Sequence, residues 1–564
     1  MLDADEAPKP AASLTVIVSR LHGLTSTSGR PRWRALAAAG FAAVTFIATG
    51  CGAAQKPAQP TVSRPPLESI FQADQSLHAN PQATLDILRK LGVDRIRLYV
   101  PWGSLGGWPP IAPDVGSTTP PPTFDASDPA AYPASGWAIY DTIIRGAVKR
   151  GIGIDLTIGP PGPAWAAQTS PANAVAHPQW KPSPQAFEQF VKTLGTRYSG
   201  HYKPLGDATP LPRVDFWAIW NEPNFGPSLA PQSIHHSQIE VSSASYRGLL
   251  DAAWSGLHAT GHGEDTILIG ELAPRGVTVG NSPGTFGYMV PLRFLRALYC
   301  VDSNYQPLRG RAAAERGCPT TASASAMFRS QHPALFEATA FADHPYPQGP
   351  PNVPEPDEPD YADLPNLPHL EQALDTVQRV YGSDKRFPIY STEFGYLTDP
   401  PEKVAGTVSL ETAAKYLNWS EYISWRDPRV RSYDQYLLVD GPRGIFASAL
   451  EMPDGTPKPS YYAYRMPIFL PQTTTGSGQS LEVWGCVRPA RFARIETGRP
   501  QRAQIQFQKG GRGPYSTVRF IPLTDPYGYF DVRQAFSGSG NVRLAWSYPH
   551  GPEIFSRIVA ITIG

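Results

Sequence analysis

Cysteine is scarce, with four in 564 residues and no Cys-x-x-Cys pair. That removes the commonest spacing of a structural zinc site, and no metal is expected. An excess of either charge is also missing: 49 Lys+Arg stand against 48 Asp+Glu, and no basic stripe runs through the chain. A nucleic-acid partner is therefore not expected. No long apolar run is present. The longest, Ala35 to Ala48, falls short of the roughly 20 residues of a comfortable membrane span. Nor does a glycine-rich phosphate turn follow the first strand candidate, where the chain reads "FQADQSLHAN". The dinucleotide sites of open doubly wound sheets want such a turn, and no cofactor is expected.

Proline, by contrast, is abundant. The 62 prolines are more than twice the average share of about 5%. Many sit in residues 109–124 and 347–368, which read as long rigid loops between periodic segments. Long loops inside a compact domain are often functional.

The N-terminus reads as an address. Arg30, Arg32 and Arg34 precede the apolar run, and Gly50-Cys51 follow it. A positive flank, a short apolar core and small residues before a cut mark a secretory signal. The placement of Cys51 resembles a bacterial lipobox, which implies lipidation of Cys51 and a surface anchor as the chain's only link to a membrane. A plain cleaved signal and an uncleaved anchor are the alternatives. About 30 residues precede the charged flank, long for a leader; a misassigned start codon would account for them. Residues 1–51 are thus read as leader and signal, and 52–65 as a tether. Of the remaining cysteines, Cys300 and Cys318 bracket a polar loop and suit a disulfide in an oxidising compartment. Cys486 is left as a buried thiol or an alternative partner.

Residues 66–470 alternate between short apolar strands and amphipathic helices. Strand candidates lie at 69–73, 95–100, 153–159, 214–220, 266–271, 338–344, 387–393 and 434–440. Helix candidates lie at 80–92, 137–151, 183–198, 243–261, 370–382 and 410–423. Eight strands at this spacing predict parallel βα units closed into a (β/α)8 barrel. From 471 to 564 the helical period disappears, and alternating segments with Gly, Pro and Asn turns predict an antiparallel β-sandwich. Trp484, Tyr515 and Trp546 are its candidates for carbohydrate contact, against the alternative that the sandwich only packs on the barrel.

Catalytic residues of such barrels lie at the C-terminal ends of strands. Glu222, in "DFWAIWNEPNFG", closes the fourth strand candidate, and Glu393, in "PIYSTEFGY", closes the seventh. Two carboxylates facing each other across the mouth fit glycoside cleavage, one giving a proton and one attacking. A lone glutamate is usually a solvated charge. Here each follows an apolar strand and is wrapped in aromatics: Trp217, Trp220 and Phe225, and Tyr390, Phe394 and Tyr396. An aromatic, partly desolvated pocket favours a carboxyl that keeps its proton.

"WNEPN" with the later "STEFG" resembles clan A of the retaining glycoside hydrolases, near families 5 and 39, over roughly residues 66–465. The resemblance implies Glu222 as general acid/base and Glu393 as nucleophile, with carboxyls about 5–5.5 Å apart. It implies that Asn221 holds a sugar 2-hydroxyl and that Arg97, in "RIRLYVPW", supports the nucleophile. His344 and Tyr346, in "DHPYP", match a pair beside the nucleophile, and residues 445–465 match the segment opening the closing helix. The tryptophan that often follows strand eight as a sugar platform has no counterpart in "DQYLLVD". Trp102, Trp108 and Trp165 are loop aromatics that either stack on sugars or anchor loops. Glu271, in "IGELAP", either binds a sugar hydroxyl or makes a structural salt bridge. The function expected is retaining hydrolysis of a β-linked saccharide or glycoconjugate. A transglycosylase sharing these residues, or a catalytically silent carbohydrate-binding protein on the same scaffold, are the alternatives.

Overall fold

A computed structural model describes residues 66–105, 107–233, 237–278, 280–354 and 358–564. The leader, Cys51 and the tether lie outside the described residues. Eight parallel strands close into a barrel: β1 Glu68–Gln72, β2 Arg95–Pro101, β3 Gly153–Gly159, β4 Phe216–Ile219, β5 Thr266–Leu272, β6 Ala340–Asp343, β7 Ile389–Ser391 and β8 Val430–Tyr436. Each pairs with the next, and β8 returns to β1. A helix follows each strand: α1 Pro81–Leu91, α2 Ala134–Lys149, α3 Pro184–Arg197, α4 Ser242–Ala259, α5 Pro291–Leu298, α6 Leu367–Val380, α7 Leu410–Arg426 and α8 Pro459–Arg465.

Local chemistry explains the boundaries. The Asn80 side chain accepts from the Ala83 amide, Pro81 opens α1, and Gly92 at φ 87° ends it. That is an N-cap, a first-turn proline and a left-handed C-cap glycine in one helix. Leu85, Leu88 and Leu91 recur on the buried face of α1, the spacing of an amphipathic helix. The lower barrel interior is filled by apolar side chains, Phe216, Ala218, Leu268, Ala340 and Ala342, with Tyr390 packed against them. Above them the inward side chains turn polar, and this layer carries the site.

The eighth strand differs from the sequence expectation. It is 430–436, not 434–440. Its inward side chains, Ser432 and Asp434, are polar and buried, so the segment lacks the apolar signature that "YLLV" supplied a few residues later. The helix α5 was also not expected; at eight residues with two arginines it offers little periodic signal.

The C-terminal sheets form a sandwich. One contains Ile468–Phe469, Ser480–Cys486 and Tyr529–Ala535; the other is built on Arg502–Lys509, Ser516–Pro522, Gly540–Ser547 and Val559–Ile563. Leu481, Val483 and Phe530 of the first sheet share one core with Ile505, Val542 and Leu544 of the second. Within this domain a helix, Ala490–Thr497, replaces the purely strand-like texture expected. Two of the three candidate sugar aromatics do not serve. Trp484 is fully buried against Tyr422, Trp425 and Tyr529, and Trp546 lies in the sandwich core. Tyr515 lies under the Arg543 guanidinium.

The sandwich docks on the entry end of the barrel. Arg491 pairs with Asp94 just before β2, Arg488 with Glu421 of α7 at 2.6 Å, and Tyr548 donates to the Lys90 carbonyl of α1. A Cβ on Gly92 would lie 2.4 Å from the Arg488 carbonyl carbon, so only glycine permits this approach. Cys300 and Cys318 are disulfide-bonded, and Cys486 is a buried thiol. Among the described residues no helix is long and apolar enough to cross a membrane.

Candidate active site

The mouth of the barrel gathers Glu222, Glu393, Arg97, Asn221, His344, Tyr346 and Glu271. Arg97, on β2, is fully buried. Its Nη1 donates to Glu393 Oε1 at 2.6 Å and to the Gln72 side chain. Its Nη2 donates to Glu271 Oε2 at 2.6 Å and to Asn221 Oδ1 at 2.8 Å. One planar fork thus fixes groups from β1, β4, β5 and β7, which a lysine could not do. Tyr346 donates its hydroxyl to Glu393 Oε2 at 3.1 Å. Burial and the Glu393 charge push the Tyr346 phenol well up, so it serves as a donor.

Glu222 sits on a turn of unusual backbone. Trp220 and Glu222 take φ 74° and 44°, a region that costs a non-glycine residue about 1–3 kcal/mol. Several bonds hold it. The Trp220 amide donates to the Ile158 carbonyl at 2.8 Å and its indole to the Ser228 carbonyl at 3.2 Å. Asn224, fully buried, donates to the Ala273 and Met289 carbonyls at 2.9 and 2.8 Å and accepts from the Ala273 amide at 2.9 Å. The second Asn of "WNEPN" is therefore a clamp between the loops after β4 and β5. Sequence reasoning passed over it, although it lay inside the motif.

His344 lies between three carboxylates. One ring nitrogen, Nδ1, is 3.0 Å from Glu222 Oε1 and 3.7 Å from Glu393 Oε2; the other, Nε2, is 3.0 Å from Glu271 Oε2. Burial works against its charge, but Glu393, Glu222 and Glu271 outweigh burial and hold His344 up at about 10. Burial likewise opposes the Glu271 charge, and Arg97 and His344 overcome it, keeping its carboxyl below the ordinary range.

Glu222, His344 and Glu393 each bring a donor atom to within 4.8 Å of the other two. Proximity alone would suit a cation. Here both ring nitrogens already face carboxylates, Nδ1 toward Glu222 and Nε2 toward Glu271, so hydrogen bonds within the cluster account for the proximity. The sequence also holds one His-x-x-x-His spacing of the kind metal sites use, His258 and His262. Those rings are engaged elsewhere. His262 bridges Asp265 and the Gly195 carbonyl, and His258 Nδ1 meets the Trp254 carbonyl.

Two expectations change. Trp102 does not reach the site: it is fully buried against Phe187 and Phe190 of α3, with Trp165 edge-on. It anchors the loop after β2 and offers no face to a sugar. Glu271 is also fully buried, so of its two readings the salt bridge is the one observed. The aromatics around Glu222 are only partly those expected. Trp217 points away to Asp265 and His262, whereas Tyr288 stacks on Phe225 at 4.6 Å between ring centroids. Burial and the nearby Glu222 charge push the Tyr288 phenol up to about 12. On the Glu393 side, Tyr436 and Phe446 pack edge-on against Tyr346. Tyr288, Tyr436 and Phe446 were not singled out in the sequence, because each comes from an irregular segment or the misplaced strand end.

Compared by sequence, the chain matches no family model and no curated protein. Compared by structure, it is similar to a family 39 glycoside hydrolase from Bacteroides cellulosilyticus WH2, at 15% identity and a TM-score of 0.42 over 84% of this chain and 79% of that one. It is also similar to a family 1 β-glucosidase from Thermotoga maritima, at 16% identity and 0.42 over 69% and 85%. An endo-β-1,4-mannanase from Thermotoga petrophila matches at 11% identity and 0.37 over 89% and 99%.

Proposed function

We propose that this protein is a retaining O-glycoside hydrolase that cleaves a β-linked saccharide or glycoconjugate by double displacement. The observation that carries the reading is the opposition of Glu222 and Glu393, which bring carboxylate oxygens within 4.8 Å of each other. Retaining enzymes hold their carboxyls about 5–5.5 Å apart, whereas inverting enzymes leave room for a water at about 6.5–9.5 Å.

The two carboxylates have different surroundings, which supports different roles for them. Glu393 accepts from a fixed cation, Arg97, and from the Tyr346 hydroxyl. A fixed cation and a hydroxyl donor are the partners that a nucleophilic carboxylate needs. Its oxygen attacks the anomeric carbon while Glu222 delivers a proton to the glycosidic oxygen, and the leaving alcohol departs. Glu222, now a carboxylate, then takes a proton from water. The water oxygen attacks the anomeric carbon and releases Glu393. Asn221, fixed by Arg97, meets a hydroxyl of the sugar over Glu393 in this reading.

A panel of aryl glycosides tests the reading. Turnover by the wild type with a product of retained anomeric configuration, lost in Glu393→Ala, is expected. An inverted product refutes the nucleophile, and absence of turnover across the panel removes the enzyme. Adding acceptor sugars separates hydrolysis from transglycosylation.

The leader carries a second, independent proposal: export and lipid anchoring through Cys51. Metabolic labelling with palmitate, compared with Cys51→Ser, is the check; an unlabelled mature chain overturns it.

A further inference from the structure

We propose that Glu271 is a positioning residue that links the two catalytic carboxylates into one alternating chain of charge, Glu393–Arg97–Glu271–His344–Glu222. The proposal rests on the glycosidase reading above. Glu271 touches neither carboxylate itself. Its Oε2 alone takes both cations, Arg97 Nη2 at 2.6 Å and His344 Nε2 at 3.0 Å. Its Oε1 is buried without a hydrogen-bond partner. A buried ion pair serving only stability is a poor bargain, since apolar replacements do as well. Here the buried anion instead joins the cation that grips Glu393 to the one that grips Glu222.

Two consequences follow for the reaction. With Glu271 ionised, His344 keeps both ring protons, and its Nδ1–H points at Glu222 Oε1. That oxygen is an acceptor, so the proton given to the leaving group is carried on Glu222 Oε2. The second consequence concerns timing. The groups that set the His344 charge are Glu222, Glu271 and Glu393 around its ring, with Asp343 beside it and Asp434 on β8. When Glu393 forms its ester to the sugar, its negative charge disappears from this set. The His344 cation then faces Glu222 with one anion fewer to share it, while Glu222 serves as the base that the second step needs. Glu271 holds that cation in place while Glu393 is neutral.

The test substitutes Glu271→Gln, which keeps shape and hydrogen-bonding capacity but removes the charge. Side-chain 15N NMR of histidine-labelled full-length protein follows His344, assigned with His344→Gln. In the wild type, His344 is expected to stay doubly protonated through pH 8; in Glu271→Gln its titration is expected at least one pH unit lower. With 2,4-dinitrophenyl glycosides, whose leaving group needs no acid, kcat reports the second step and kcat/KM the first. Glu271→Gln is expected to lower kcat at least tenfold with a much smaller change in kcat/KM, and to pull in the alkaline limb of the pH profile. A wild-type His344 that is neutral at pH 7 overturns the proposal without any variant. So does a Glu271→Gln protein whose His344 titration is unmoved, or whose two steps fall equally. If no glycoside is turned over, the NMR titration still decides the charge chain, and the glycosidase reading fails separately.

Discussion

The amide of Glu222 donates to the carbonyl of Glu271 at 2.8 Å, and both residues have positive φ, 44° and 51°. Neighbouring strands thus end in matched turns, and each turn aims its carboxylate into the same layer. The pairing is possible because Gly270 bulges the β5 edge at φ 108°. A bulge at a barrel rim re-aims a side chain in this way.

Glu222→Ala should slow cleavage of poor leaving groups by about 10²–10⁴-fold, the usual worth of general acid–base catalysis. With 2,4-dinitrophenyl glycosides the first step should be nearly unaffected. Added azide should restore turnover and yield a glycosyl azide of retained configuration. Kinetics across leaving groups of graded acidity, with product NMR, is the measurement.

Removing Asn224 by Asn224→Ala should destabilise the fold by about 1–3 kcal/mol, because it strands buried backbone groups. The three bonds it loses all secure the Glu222 turn. A drop in kcat larger than the change in KM should accompany the lower unfolding midpoint. Denaturant titration and steady-state kinetics on the same preparation read both.

Arg97→Met leaves His344, among the described residues, as the one cation facing Glu271 and Glu393 in a buried layer. A loss of about 3–5 kcal/mol is expected. Arg97→Lys keeps the charge but cannot span Glu271 and Glu393 at once, so it should fold better than Arg97→Met and still lose most activity. Circular dichroism melts beside activity separate the two effects.

Asp155 faces the barrel interior with neither oxygen hydrogen-bonded. Burial, then the Glu271 charge, pushes its carboxyl up from 3.8 to about 8, against the pull of Arg97 and Arg95. A raised folded-state value gives stability that is whole below about 4 and is lost as the pH climbs through about 8. Asp155→Asn should flatten that slope, gaining on the wild type at pH 8 relative to pH 4. Thermal unfolding over that interval is the check.

Strand-by-strand legibility followed how the interior is filled. Strands β2, β3 and β5 carry apolar runs on their outer faces and stood out in the sequence. Strand β8 presents Ser432 and Asp434 inward, so its pattern was outweighed by the apolar residues just after it. Site residues were readable where they end a strand, as Glu222, Glu393 and His344 do. Trp102 also follows a strand, yet the loop beyond it folds back, and its ring is claimed by α3. Whether an aromatic faces solvent or a helix depends on loop paths that local periodicity does not encode. Gln72 and Asn224 were silent for a related reason: their value lies wholly in what meets them from distant segments.

The docking of the sandwich bears on how the barrel stays shut. A closed ring of strands has one seam where its first and last members meet, here β1 against β8, with no short connection across it. The sandwich grips α1 and the stretch before β2 on one side of that seam, and α7 and α8 on the other, where Arg488 also donates to the Tyr464 carbonyl. It works as a clasp across the join, at the end remote from the reaction. A chain cut after α8 would have to hold its seam by strand pairing alone, and hydrogen exchange along β1 and β8 would be the first place to see it open.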